Sequence, residues 1–259
     1  MKIHPSQTVG QIAVNFKEAI PVFEKYKIDY ATQGGRSLKD ACYMAGIPFE
    51  KILQELEQLP PRGEEWYAAE PDWRNEPMSE LTAHIVKTHH VFVRRHLEKI
   101  EELLDRLAAS DLPPGSPVSA ILGFFPNMAK DLLAHLREEE EVVFPYLVEV
   151  EMALQRGKPV PTPFREYNSL THPIRILQAD HGMMGREWMK IEELTDYFNA
   201  PPGASQDLLD LYRAFKEMDL DNRKHFHLEN NILFHRVLQL GLLNREEENG
   251  GPAGPTPPS

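Results

Sequence analysis

The chain has 259 residues, 41% of them hydrophobic, enough to enclose a core in one large domain or two smaller ones. A formal charge of −12 and a pI near 5.4, with no cluster of Lys and Arg, argue against a surface built for nucleic-acid phosphates. No apolar run approaches the length that crosses a bilayer, and the opening MKIHPSQTVGQ lacks the apolar stretch of a secretory signal, so a soluble, cytoplasmic protein with no membrane partner is expected.

Residues 8–59 read as short helical phrases: VGQIAVNFKEAIPVFEKY, the breaker ATQGGR, then SLKDACYMAG and PFEKILQELEQL. Ser37, followed three residues later by Asp40, resembles a capping box, and Pro48 suits the first turn of the next helix. Residues 1–60 are therefore expected to form a small helical N-terminal domain. Consecutive prolines stop the preceding helix, so Pro60-Pro61-Arg62-Gly63 opens a linker that runs over 61–76. Tyr26, Tyr30 and Tyr43 suit either a core or an interface, and partner binding, homodimer formation and covering of the next domain are all roles open to this module.

Four long helical segments follow, over 77–109, 117–154, 172–199 and 205–241, separated by Pro113-Pro114-Gly115, by 157–163 and by Pro201-Pro202-Gly203. The spacing predicts an up-down four-helix bundle over 77–243, with the long second connection packed across one end. Residues 244–259, dominated by REEENGGPAGPTPPS, carry too little apolar matter to fold and read as a disordered tail.

Within the bundle one pattern occurs twice: Asp131-x3-His135-x3-Glu139-x4-Phe144 and Asp221-x3-His225-x3-Glu229-x4-Phe234. Each copy follows a histidine set in an apolar stripe. His90 stands 45 residues before His135, in the series Val86, His90, Val93, Leu97, Ile100, Leu104; His181 stands 44 residues before His225, in Ile174, Leu177, His181, Met184, Trp188, Ile191. Side chains four apart on an α-helix share a face, so each His-x3-Glu offers a nitrogen and an oxygen to one point. A lone inward histidine is ordinarily a core residue bonded to a neighbour, and a His/Glu pair arises by chance in an acidic helix. The conjunction of four inward histidines, two matched glutamates and near-equal spacing points to a metal site made of His90, His135, Glu139, His181, His225 and Glu229.

Asp131 and Asp221, one turn before the paired histidines, are candidates for orienting imidazoles. Glu138, Glu140 and Glu141 read as solvated charge. His89 is turned about 100° from His90 on an α-helix, which puts it outside the site, and His4, His84, His96, His172, His227 and His235 fall outside the repeat. The chain has a single cysteine, Cys42, so no internal disulfide forms and any metal must rely on imidazole and carboxylate. That donor set suits iron or manganese. Two carboxylates suit a bridged pair of irons, whereas a lone zinc would leave donors idle.

Residues 8–240 resemble the Repair of Iron Centres di-iron proteins, in which a small N-terminal helical domain precedes a hemerythrin-like four-helix bundle. The likeness is carried by KYKIDYATQGGRSLKDAC, DWRNEP, LTAHIVKTHH, HLREEEEVVFP, ADH and HFHLENNILF. The resemblance implies an all-α fold, two non-haem iron ions with an oxo or hydroxo bridge on the same six residues, and glutamates that span the irons. It also implies a role in the response to nitrosative and oxidative stress, restoring iron–sulfur clusters damaged by nitric oxide or peroxide, with damaged iron–sulfur proteins as partners. One departure stands out: family members commonly carry two adjacent cysteines after the Asp-Tyr of the first module, whereas Asp29-Tyr30 is followed here by Ala31-Thr32, and Cys42 is too far along to replace them. Two other functions fit the same six residues: a redox enzyme acting on nitric oxide, peroxide or oxygen, and a gas or iron sensor signalling through the N-terminal module. A metal-free bundle is the remaining reading.

Overall fold

The computed structural model describes residues 3–59, 71–110, 115–158 and 171–239. Most of the expected linker, the Pro113-Pro114 breaker, most of the long connection at 157–163 and the tail from 244 lie outside the described residues. Among those described, regular structure is helical apart from one isolated antiparallel bridge between Thr8 and Ser37.

The first module contains α1 (Val9–Asn15), α2 (Ala19–Lys25), α3 (Leu38–Met44) and α4 (Phe49–Glu57). A capping box starts α1: Thr8 Oγ1 accepts the Gln11 N–H and Gln11 Oε1 accepts the Thr8 N–H, both at 3.2 Å. Ser37 caps α3 as its spacing predicts, accepting the Asp40 N–H at 3.1 Å, but Asp40 bonds the Ser37 hydroxyl at 2.6 Å instead of closing a box on the backbone. Pro48 takes the cap position ahead of α4. Of the three tyrosines, Tyr30 is buried in the core and Tyr43 is exposed.

The four rods of the bundle are built from further elements. The first is α5 (Met78–Ile85), π1 (Val86–His90) and α6 (Val91–Ala108); the second is α7 (Pro117–Leu122), α8 (Phe125–Glu138), π2 (Glu139–Val143) and α9 (Phe144–Gln155). The third is α10 (Thr171–Leu194), and the fourth is α11 (Gln206–His227) and π3 (Leu228–Leu233), continued by helical residues 234–239. The first rod packs on the second and fourth, and the third closes the ring between them.

Two boundaries differ from the sequence expectation. The second segment is broken at Gly123-Phe124, because Pro126 in the first turn of α8 has no N–H to reach back to Leu122. The third stops at Leu194 instead of running to 199. Asp196, Tyr197 and Phe198 turn left-handed, with φ of 46°, 57° and 63°. The Thr195 hydroxyl donates to the Ile191 carbonyl at 2.7 Å and accepts the Phe198 N–H at 3.1 Å, supplying bonds that the helix end lacks.

The apolar interior falls into two clusters. One joins Phe23, Leu38 and Leu56 of the first module to Val93, Leu97, Leu132, Leu136, Met184, Trp188, Met218 and Phe226 of the bundle. The other gathers Ile85, Val143, Phe144, Leu177, Ile232, Leu233 and Phe234 at the opposite end. The change from one cluster to the other falls at His90 in the first rod, at Glu139 in the second, at His181 in the third and at Glu229 in the fourth. Among the described residues no helix is long and apolar enough to cross a membrane.

Candidate metal centre

Three rods contain a π turn, and each turn includes or adjoins the polar residues between the two cores. A π turn bonds i to i+5 and inserts one residue, so residues five apart come onto one face. His84 and His89 show the effect across π1: five apart, they meet edge-on with ring centroids 5.7 Å apart. The x4-Phe step of the repeat is the same geometry, carrying Phe144 and Phe234 onto the face of Glu139 and Glu229. Phe144 then stacks on His90 at 5.8 Å and Phe234 on His181 at 6.0 Å.

All six residues selected from the sequence are buried and converge. Donor atoms of His90, Glu139, His225 and Glu229 lie within 4.8 Å of one another, and so do those of His135, Glu139 and His181. The histidines form two pairs, His90 with His225 (Nε2 to Nε2, 3.1 Å) and His135 with His181 (2.8 Å). Glu139 Oε1 lies 3.3 Å from His135 Nε2 and 3.7 Å from His181 Nε2, while its Oε2 lies 3.5 Å from His90 Nε2. Glu229 Oε1 lies 2.9 Å from His225 Nε2 and 3.8 Å from His90 Nε2, while its Oε2 is 3.2 Å from His181 Nε2. Each carboxylate thus turns one oxygen toward each histidine pair.

This arrangement fits cations. Both oxygens of Glu139 and Oε2 of Glu229 have no hydrogen-bond partner among the described residues, although all are buried. Two carboxylates enclosed this way are costly unless a positive charge compensates them. Burial opposes their ionisation, yet the facing imidazoles hold Glu139 and Glu229 below the usual carboxylate range. Conversely, the carboxylates outweigh burial and raise His90 and His181, and raise His135 to about 10, whereas burial prevails at His225 and lowers it. The cluster's demand for positive charge is one that metal ions can meet in competition with protons.

Behind the donors stands a layer that the sequence reading assigned incorrectly. Glu140, expected as solvated charge, is half-buried; its Oε1 lies 2.7 Å from His90 Nδ1, and Arg94 holds both of its oxygens at 2.9 and 3.1 Å. The π2 turn brings Glu139 and Glu140, adjacent in sequence, to the interior together. His89, expected to face away, is buried and stacks parallel on His225. Asp221 bonds His89 Nδ1 at 3.0 Å rather than orienting His225, and Asp131 lies near Glu187, whose carboxyl is raised by burial and by that charge. On the other side of His135, Asp180 Oδ2 lies 3.8 Å from Nδ1, beyond hydrogen-bond reach. His181 Nδ1 is served by Asn230 Oδ1 at 2.9 Å. Of the other histidines, His96 pairs with Glu217 at 3.1 Å, and His227 is buried with Nδ1 accepting from Asn231 at 2.9 Å.

The sequence pattern described as the hemerythrin HHE cation binding domain matches residues 81–237, more than half of the chain and inclusive of all six converging residues. The chain belongs to the hemerythrin family. Ahead of its hemerythrin domain, residues 5–60 match a domain of unknown function, DUF542. The iron-sulfur cluster repair protein YtfE of Citrobacter koseri is 27% identical over 238 residues, covering 90% of this chain and 96% of that protein. YtfE of Yersinia pseudotuberculosis is 25% identical over 237 residues, covering 90% and 97%, and YtfE of Escherichia coli is 26% identical over 238 residues, covering 90% and 96%. The likeness read from the sequence therefore spans both the hemerythrin bundle and the module before it.

Proposed function

We propose that this hemerythrin-family chain holds two iron ions and serves in the cytoplasm under nitrosative or oxidative stress, repairing iron–sulfur clusters by donating iron to damaged proteins or protecting them. The observation that carries the reading is the division of Glu139 and Glu229 between the histidine pairs. His90 and His225 would hold one ion, His135 and His181 the other, and each carboxylate would give one oxygen to each. Imidazole with carboxylate and no thiolate suits iron. The names of the similar repair proteins, which cover nine-tenths of this chain, support the same assignment. Bound there, the irons supply a ferrous/ferric couple. The chain itself provides a site enclosed between two apolar cores, with Glu140 and Asn230 fixing two of the imidazoles.

A second reading, turnover of nitric oxide, peroxide or oxygen, is favoured by the donor count: two nitrogens and two carboxylate oxygens per ion leave positions on a six-coordinate iron for a small ligand. The test compares wild type with a His135→Ala/His225→Ala variant for iron content and for reactivation of a nitric-oxide-damaged [4Fe–4S] enzyme. Two irons per wild-type chain, with rescue lost in the variant, is the expected result. Equal rescue by both proteins sinks the repair reading, and turnover of the small molecule without rescue favours the second.

A further inference from the structure

The first module reaches the donor cluster through the side chain of Asn230. Asn230 follows Glu229 in π3; its Nδ2 donates to the Ala31 carbonyl at 3.0 Å, and its Oδ1 lies 2.9 Å from His181 Nδ1. A backbone carbonyl can only accept. The amide must therefore present its NH₂ to Ala31 and its oxygen to His181, which requires the hydrogen of His181 to sit on Nδ1 and leaves the Nε2 lone pair aimed into the site. A peptide group some 150 residues away in the chain thus selects the tautomer of one donor.

The loop that carries this carbonyl is held from two sides. Asn231 donates to the Tyr30 carbonyl at 2.8 Å. Gly10 and Gly34 close around the same side chain: a Cβ at either would collide with Asn231 Oδ1, and one at Gly34 would also lie 2.8 Å from the Tyr30 carbonyl. Across the loop, α10 approaches at Gly185, where a Cβ would stand 3.2 Å from the Thr32 side chain. His181 lies one turn earlier on that helix. The module is therefore wedged against both the rod that bears His181 and the π turn that bears Glu229.

We infer that the N-terminal module is a positioning element of the metal centre: through Asn230, the Ala31 carbonyl sets the tautomer and aim of His181, so docking of residues 30–34 and ion binding at the His135–His181 half are coupled. The inference rests on the metal reading above. Coupling is reciprocal: an ion at that half strengthens docking, and undocking weakens binding there more than at the His90–His225 half, which shares only the carboxylates.

The experiment titrates the full chain with ferrous iron anaerobically, follows the two ions by Mössbauer spectroscopy, and measures hydrogen exchange of residues 30–34 with and without iron. In wild type, iron is expected to slow that exchange. Asn230→Leu removes both bonds at similar volume, and its affinity for one of the two ions is expected to fall about 10–100-fold, with the larger change in one Mössbauer component. Asn230→Asp keeps an acceptor for His181 but sets an oxygen against the Ala31 carbonyl, so affinity is retained while exchange at 30–34 speeds up and no longer responds to iron. Gly34→Ala attacks docking from the module side and is expected to weaken the same ion as Asn230→Leu. Circular dichroism checks that each variant is folded. A wild type that binds two irons, paired with an Asn230→Leu variant of unchanged isotherm and spectrum or with iron-indifferent exchange at 30–34, overturns the inference alone. A wild type that binds no iron overturns the metal reading and the inference with it.

Discussion

The imidazole of His89 lies parallel to that of His225, with 5.6 Å between ring centroids and 0° between the planes, while its Nδ1 is 3.0 Å from Asp221 Oδ1. An α-helix would turn His89 away from this position. The π1 turn brings it in and makes it the backing of a donor, with a partly buried acid as its partner. Replacing it separates the two contacts. His89→Phe keeps a flat ring against His225 but leaves Asp221 unpaired; His89→Ala removes both. Each variant is expected to lose about 1–3 kcal/mol for the stranded acceptor, with His89→Ala the less stable of the two. Urea unfolding measures this, and a His89→Ala protein as stable as wild type would remove His89 from the support of the site.

Glu140 gives a second test, because it acts on His90 without reaching the other donors. A carboxylate on Nδ1 makes the opposite nitrogen a better donor, and Arg94 keeps that carboxylate ionised: although burial works against it, Arg94 and His90 hold Glu140 below the usual range. Glu140→Gln preserves shape and removes the charge. Its iron affinity is expected to drop about 10–100-fold at one ion, read from anaerobic titration, with folding stability close to wild type because the site edge is half exposed.

The rods and the six donors were legible in the sequence because each histidine and glutamate lies on an apolar stripe with steps of three and four. What α-helical spacing misassigned are the neighbours of donors: His89 beside His90, Glu140 beside Glu139. A residue next to an inward position points away on an α-helix, but not where a π turn adds a residue. The repeat contained a trace of this. After two steps of four it takes a step of five to Phe144 and Phe234, and residues five apart share a face only across a π turn. The Asn230–Ala31 contact had no such trace, since pairing of residues so distant along the chain follows from how the module docks rather than from local spacing.

Phe226 packs against His181 with ring centroids 4.4 Å apart, at the boundary between the apolar core and the donor cluster. Its truncation should cost both packing and aim. Phe226→Ala is expected to destabilise the protein by about 3–5 kcal/mol, measured by urea unfolding. Phe226→Leu, which retains most of the volume, is expected to recover much of that stability without restoring the flat surface on which His181 rests. A small loss for Phe226→Ala would mean that the surrounding rods collapse into the space.

Removal of the ions provides the broadest test of the charge argument. Glu139 and Glu229 place two carboxylates in an enclosed space where three of their oxygens lack hydrogen bonds among the described residues. Cations that bind the folded chain but not the unfolded one stabilise it by mass action, about 4 kcal/mol when free metal stands at a thousand times its dissociation constant. A chelator is therefore expected to lower the melting temperature by many degrees, and added ferrous iron to restore it. The Glu139→Gln/Glu229→Gln variant separates this from any general effect of chelation. It removes both buried charges, so its melting temperature should be nearly indifferent to chelator and iron alike. If wild type melts at the same temperature with and without chelator after complete loss of iron, the enclosed carboxylates are compensated by protons on the imidazoles alone, and no cation is needed to hold the centre together.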